Sequence, residues 1–107
     1  MSPINKGSAE AMEQPLRLSH PNCYQHLLEQ FSRFHLHPYD VKASVMAQEG
    51  GFLIVLRYGE GLTQSKQQFF KFEALASISE GLTHYYEEVA QLCKKTLIAD
   101  YYKMIKP

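Results

Sequence analysis

The chain has 107 residues, of which 45% are hydrophobic and 21% are charged, a composition typical of one globular domain. Its 11 Lys and Arg side chains balance its 11 Asp and Glu side chains, so the basic excess usual in proteins that bind nucleic acid or anionic membranes is missing. The longest apolar run covers residues 52–56, far short of the roughly 18 residues that a membrane span needs. We therefore expect a cytoplasmic protein without a membrane partner, and we do not expect nucleic acid as a partner.

The N-terminal residues 1–15 show no periodic apolar pattern and are rich in small and polar types. This composition predicts a mobile N-terminal tail, followed by a single α+β domain over residues 16–107. We expect residues 16–18 to form a short extended lead-in to the first helix.

The first helix is predicted to begin between Ser19 and Asn22, with Pro21 in its first turn. It should end near His37, because the residue before Pro38 is disfavoured in helical conformation. Its apolar residues recur at spacings of three and four and form one buried stripe: Tyr24, Leu27, Leu28, Phe31 and Phe34.

Three strands are predicted after this helix. Residues 40–48 alternate between apolar and polar types, which indicates a half-buried strand, and residues 52–58 form a continuous apolar strand. The intervening turn, residues 49–51, favours a hairpin between them. Residues 65–72 are predicted to form a third strand, although their Gln and Lys content is also compatible with a helix.

The C-terminal segment has apolar residues spaced alternately by three and four, which predicts a long helix: Leu75, Ile78, Leu82, Tyr85, Val89, Leu92 and Thr96. Ser77 and Glu80 resemble a capping box, and Gly81 favours a break, so the main helix should cover residues 82–105. The predicted fold is α+β, in the order α-β-β-β-α. A three-stranded antiparallel β-meander packs against an N-terminal helix and a long C-terminal helix.

The histidines raise the question of a metal site, because four of the five lie between His20 and His37, close to Cys23. On a helix, however, His35 falls within the apolar stripe, His26 on the solvated side and Cys23 at the border. Cys23 and His26 could supply only two of the four ligands of a structural zinc, so the others would have to come from elsewhere. The sources left open are Cys93, His84, His37 and a second chain. A packed or exposed histidine is the simpler interpretation at each position.

Only one arrangement in the sequence, Cys23 with its neighbouring histidines, resembles a catalytic site. Cys23 lies near a helix N-terminus, which lowers the pKa of a thiol, and has His20 and His26 nearby in sequence. No acidic residue is placed to orient either imidazole, as nucleophilic catalysis would require. We therefore expect a protein that is not an enzyme and has no cofactor.

The C-terminal helix carries more apolar surface than one small sheet can cover, since its apolar stripe drifts after Leu97. The candidate interface residues on this helix are Tyr85, Leu92, Tyr101, Tyr102, Met104 and Ile105. The sequence thus predicts a small non-catalytic protein-interaction or regulatory domain. It would form a homodimer through the C-terminal helix, and another protein is a further candidate partner.

Two other functional classes stay open at this stage. One is a small-ligand or metal-binding module that uses a pocket between the sheet and the helices. The other is a cysteine-dependent enzyme centred on Cys23.

Overall fold

The computed structural model describes residues 12–105, and within them one antiparallel sheet is covered on one face by helices. The strands are β1 (Gln14–Pro15), β2 (Val41–Gln48), β3 (Gly51–Tyr58) and β4 (Gln64–Lys71), in that spatial order. The helices are α1 (Leu16–Ser19), α2 (Pro21–Arg33), α3 (Phe72–Ala76) and α4 (Glu80–Ile105). Short 3₁₀ turns cover Pro38–Asp40 and Glu60–Leu62. The predicted α+β class is confirmed.

The β2–β3–β4 meander follows the predicted strands closely. The hairpin between β2 and β3 turns at Glu49 and Gly50, and Gly50 has a φ of 85°, which favours glycine. Gly51 begins β3 where a Cβ atom would collide with the carbonyl oxygen of Phe70 on β4, so only glycine fits there. The strand and helix alternatives for residues 65–72 are resolved in favour of the strand, apart from Phe72, which begins α3.

The sheet has four strands where the sequence predicted three. The additional strand, β1, pairs with β2 and lies within the predicted tail. Its position is supported by Glu13, whose carboxylate accepts two hydrogen bonds from the Arg57 guanidinium, at 3.0 and 2.8 Å. Residues 16–18 are helical and not extended, because the turn into α1 inserts the fully buried Leu16 into the core. Residues 1–11 of the predicted tail lie outside the described residues.

The core lies between the inner face of the sheet and helices α2 and α4. Tyr86 of α4 donates a hydrogen bond to the carbonyl oxygen of Cys23 on α2, at 3.0 Å. The Tyr85 hydroxyl lies 2.9 Å from the carbonyl oxygens of both Ile54 and Lys66, so its single hydrogen is shared between two strands. These two neighbouring tyrosines therefore attach α4 to α2 on one side and to the sheet on the other.

Helix α2 ends earlier than predicted. Its last residue is Arg33, and His35 takes the left-handed conformation with a φ of 62°. The N–H of Leu36 donates to the carbonyl of Phe31, and that of His35 to Ser32, which is the Schellman pattern. The prediction that His35 faces the core was wrong, because the helix stops before it and its side chain is exposed.

A break precedes the long helix, but it lies at residues 77–79 and not at Gly81, which is inside α4, and the capping residue also differs from the prediction. Ser77 is the C-terminal cap of α3, while the Ser79 hydroxyl accepts the N–H of Leu82 in the first turn of α4, at 3.3 Å. Between them, Ile78 has a φ of 53°, and the N–H of Ser79 closes α3 onto Ala74. Ser79 therefore performs the role that the sequence suggested for Ser77.

The sheet ends at β4, whose second edge pairs with no strand within the described part of the chain. Only Phe70 of this strand is buried, and Lys66 lies 3.7 Å from Glu88 of α4. The edge is eight residues long and contains neither proline nor glycine. It thus leaves a row of backbone groups open to solvent or to another strand.

Candidate functional site

The candidate site is the outer surface of α4 near its C-terminal end. With 26 residues, α4 is about 39 Å long, whereas an eight-residue strand spans roughly 27 Å. Leu97 still packs against the core, but Ile98, Tyr101 and Tyr102 do not. Ile98, Tyr101 and Tyr102 are 49%, 59% and 61% exposed. Large apolar groups at these exposures form a patch of the kind found at protein interfaces.

A shallow groove adjoins this patch, between the end of α2 and α4. One cavity of about 380 Å³ is lined on the α2 side by Phe34 and Leu36. A second, of about 520 Å³, continues along α4 past Glu88 and Lys95. Both are lined by Phe34, Lys94 and Ile98. We call this surface the α4 groove and define it by six residues: Phe34, Lys94, Leu97, Ile98, Tyr101 and Tyr102.

The end of α2 shapes the α4 groove. The left-handed turn at His35 buries Leu36 and leaves Phe34 half-buried at the groove wall. On the opposite side, the rings of Tyr101 and Tyr102 meet edge to face, with their centroids 5.7 Å apart. The rim is charged, with Lys94 and Lys95 on one stretch of α4 and Glu88 nearly two turns earlier. The groove thus has an apolar floor and a charged rim, as interfaces commonly have.

The predicted interface residues fall into three groups. Tyr101 and Tyr102 are exposed in the α4 groove, and Leu92 is half-buried beside it. Tyr85 is buried against the sheet by its contacts with two strands, so we leave it out of the proposed surface. The side chains of Met104 and Ile105 lie outside the described residues.

Cys23 and His26 contact different partners in the structure. The Cys23 thiol is 3.4 Å from the Leu75 carbonyl oxygen, and His26 Nε2 is 2.8 Å from the Thr83 hydroxyl of α4. His26 is half-buried between α2 and α4, which corrects its predicted place on the solvated side. Cys93 lies 3.7 Å from the Asp40 carbonyl oxygen. Between residues 12 and 105, no three His, Cys, Asp or Glu side chains are grouped so that they could hold a metal ion.

The thiol environment does not favour a nucleophile. Burial raises the pKa of Cys23 above its ordinary value, and burial with a contribution from Asp40 raises that of Cys93 to about 11. A reactive cysteine needs a lowered pKa and access to solvent, and both thiols are buried. The expected effect of the α2 N-terminus on Cys23 is therefore outweighed by desolvation.

A cavity of about 420 Å³ lies where β1 stops pairing with β2, and both residues of β1 line it. Its wall includes Arg17, Lys42 and Tyr24, together with Tyr39, which is 89% exposed and stacks on His37. The cavity is lined by the edge of the sheet and by residues of α1 and α2, and the ligand alternative expected a pocket between the sheet and the helices. Ligand binding stays a prediction.

Sequence reasoning did not find two features of this region. It assigned Phe34 to the buried stripe of α2 and so did not include it among the interface residues. It also did not predict the contact between His26 and Thr83. Both depend on how α2 lies against α4, more than 50 residues away in sequence. The available signal for the α4 groove was the drift of the apolar stripe after Leu97.

Comparisons with known proteins give no assignment. No family model matches the chain, and no curated protein or solved structure shows significant similarity to it. None of the helices between residues 12 and 105 combines the length and the hydropathy needed to cross a membrane.

Proposed function

We propose that this protein is a small non-catalytic interaction domain that forms a homodimer through α4. The observation that supports this best is the exposure of three large side chains of the α4 groove. Ile98, Tyr101 and Tyr102 all project from the same helix, and each is about half exposed or more. Removing such surface from water is favourable by roughly 25 cal/mol for each Å² of apolar area, and this gain opposes the entropic cost of association. Tyrosine is also among the residues that contribute most to interfaces.

A second copy is the proposed partner for two reasons. The chain has no net charge, so two copies meet without overall repulsion. The α4 groove also supplies both projecting aromatic rings and a receiving cavity, and an isologous dimer requires such a self-complementary surface.

Light scattering coupled to size exclusion tests the proposal. The wild-type chain is expected to elute with twice its monomer mass at tens of micromolar. Ile98→Asp introduces a charge at the centre of the groove and is expected to give a monomer. Because Ile98 is half-exposed, the variant should keep its helical circular dichroism.

The matched control is Tyr39→Asp. It introduces the same charge at a side chain that is 89% exposed and lines a different cavity, on the Pro38–Asp40 turn. This variant should remain a dimer. A monomeric wild-type chain, or a dimer that persists in Ile98→Asp, contradicts the proposal.

A further inference from the structure

We infer that the two copies cross their α4 helices in antiparallel orientation about a two-fold axis at Ile98, each inserting Tyr102 into the other's α4 groove. This inference rests on the proposed self-association and adds its orientation and register. It names Ile98 as the residue that meets its own copy.

The spacing of the groove residues supports this register. Gln91, Lys94, Ile98 and Tyr101 follow one another at intervals of three, four and three residues, which places them on one side of the helix. Ile98 is the half-exposed apolar residue at the centre of the groove. An axis at Ile98 therefore buries the apolar centre of each copy against that of the other.

In each copy, Tyr102 and the cavity of the α4 groove are close enough along the helix for the two copies to exchange contacts. Tyr102 is one helical turn after Ile98 and Lys94 is one turn before it, each about 6 Å away along the axis. The antiparallel crossing brings Tyr102 of one copy level with Lys94 of the other. Lys94 lines the cavity together with Phe34, so the ring finds an apolar wall and an ammonium group.

The lysines distinguish antiparallel from parallel pairing. In a parallel pair, Lys94 and Lys95 would face their own copies, and like charges in direct opposition are destabilising. In the antiparallel pair about Ile98, these two lysines face the aromatic residues Tyr102 and Tyr101. The charges on α4 thus favour the antiparallel arrangement.

The open edge of β4 is the competing surface for a second copy. It pairs with no strand among the described residues, but Lys66 and Lys71 lie within it, and such lysines commonly protect edge strands. None of the three cavities described above is lined by a residue of β4. It serves as the alternative in the test.

Cysteine cross-linking with a short bis-maleimide at neutral pH tests the register in the full chain. Cys23 and Cys93 are buried, so introduced cysteines should react selectively. Ile98→Cys is expected to cross-link to itself and to give a covalent dimer. The matched control on the open edge, Gln67→Cys, should stay at monomer mass on a denaturing gel.

Orientation is tested by mixing two variants. Lys94→Cys and Tyr102→Cys should cross-link when mixed, at least tenfold more than either does alone, because each residue lies about 12 Å from its own copy along the helix axis. Tyr102→Leu, which keeps an apolar side chain but loses the ring, should weaken the dimer at least threefold.

The outcomes separate this inference from the proposal that supports it. A wild-type monomer in light scattering overturns both. A dimer in which Gln67→Cys cross-links and Ile98→Cys does not overturns the antiparallel α4 register, as does self-cross-linking of Lys94→Cys at the level of the mixture.

Discussion

At the scale of single residues, the hydrogen bonds of two tyrosine hydroxyls and one imidazole orient α4 against α2 and the sheet. Tyr86 donates to the backbone of α2, Tyr85 to the backbone of the sheet, and His26 meets Thr83 across the helix pair. Each contact gives a buried or half-buried polar group a partner, and an unpaired polar group that is fully buried costs roughly 1–3 kcal/mol. These side chains therefore fix the orientation of α4 as well as its depth.

Tyr86→Phe removes the hydroxyl that reaches the Cys23 carbonyl and leaves the ring in place. That carbonyl keeps its hydrogen bond within α2, so the free energy of unfolding should fall by about 1 kcal/mol. Urea denaturation measures the change. Tyr39→Phe is the control and should change stability by less than about 0.5 kcal/mol, because Tyr39 is 89% exposed. Equal losses in both variants would contradict the assignment.

Alkaline pH should destabilise the protein. Burial raises the pKa of Cys93 from 9.0 to about 11, and burial also raises the pKa values of Tyr85 and Tyr86. Above pH 9 the unfolded chain releases the thiol proton while the folded chain retains it, so stability falls as pH rises from 9 to 11. Each pH unit in this window should cost about 1.4 kcal/mol from Cys93 alone.

The pH dependence is measured by urea denaturation at a series of pH values. Cys93→Ala is the matched variant, and it should flatten the slope between pH 9 and 10, whatever its stability at pH 7. An unchanged slope in this variant would show that the Cys93 thiol does not cause the effect.

At the scale of elements, turns decide where helices end. Helix α2 ends at Arg33 although the following residues continue its apolar spacing, because the turn at His35 lets Leu36 fold back onto Phe31. A left-handed conformation costs a non-glycine residue roughly 1–2 kcal/mol. The burial of Leu36 offsets this cost.

His35→Gly should therefore stabilise the protein by about 1 kcal/mol, because glycine adopts a positive φ freely and the exposed imidazole packs little. Thermal or urea unfolding gives the measurement. Gln25→Gly, at an exposed position inside α2, is the control and should destabilise by roughly 0.5–1 kcal/mol. A destabilised His35→Gly variant would contradict the strained turn.

The elements differ in how well the sequence predicts them. The meander strands agree to within about two residues, because alternation, a continuous apolar run and glycine turns are all local signals. Strand β1 has two residues and no pattern, so only its tertiary contacts define it. The buried face of α2 is rotated from the predicted stripe toward Cys23 and Gln30, and Gln30 is buried although its hydropathy does not favour burial.

In the candidate site, too, some residues could be predicted from local sequence patterns and others depend on tertiary contacts. Tyr101 and Tyr102 could be proposed from the sequence, because the drift of an apolar stripe along one helix is a local pattern. The opposite wall, Phe34, comes from another helix and is placed by the early end of α2. Its role could not be read from spacing within either helix.

At the scale of the whole molecule, the asymmetry between a long helix and a short sheet is the main feature. The inner face of the sheet covers the first half of α4, and the second half leaves apolar side chains exposed. A chain of this size buries a modest core, so an added interface contributes a large fraction of its stability. The proposed dimer therefore links folding to assembly.

This linkage predicts a melting temperature that depends on protein concentration. If dimerisation contributes to the stability of the folded chain, tenfold dilution should lower the melting temperature measurably in scanning calorimetry. Ile98→Asp should show the same, lower melting temperature at every concentration. A wild-type melting temperature that does not change on dilution would contradict the proposed dimer.

The meander has a consequence for the folding pathway. Its three long strands are consecutive and joined by short turns, so their pairing closes only small loops, and topologies of this kind form early. Helices α2 and α4 flank the meander, so their contact closes a loop of more than 50 residues. We expect this docking to follow the rate-limiting step. Removal of the Thr83 hydroxyl should then accelerate unfolding and leave the refolding rate almost unchanged.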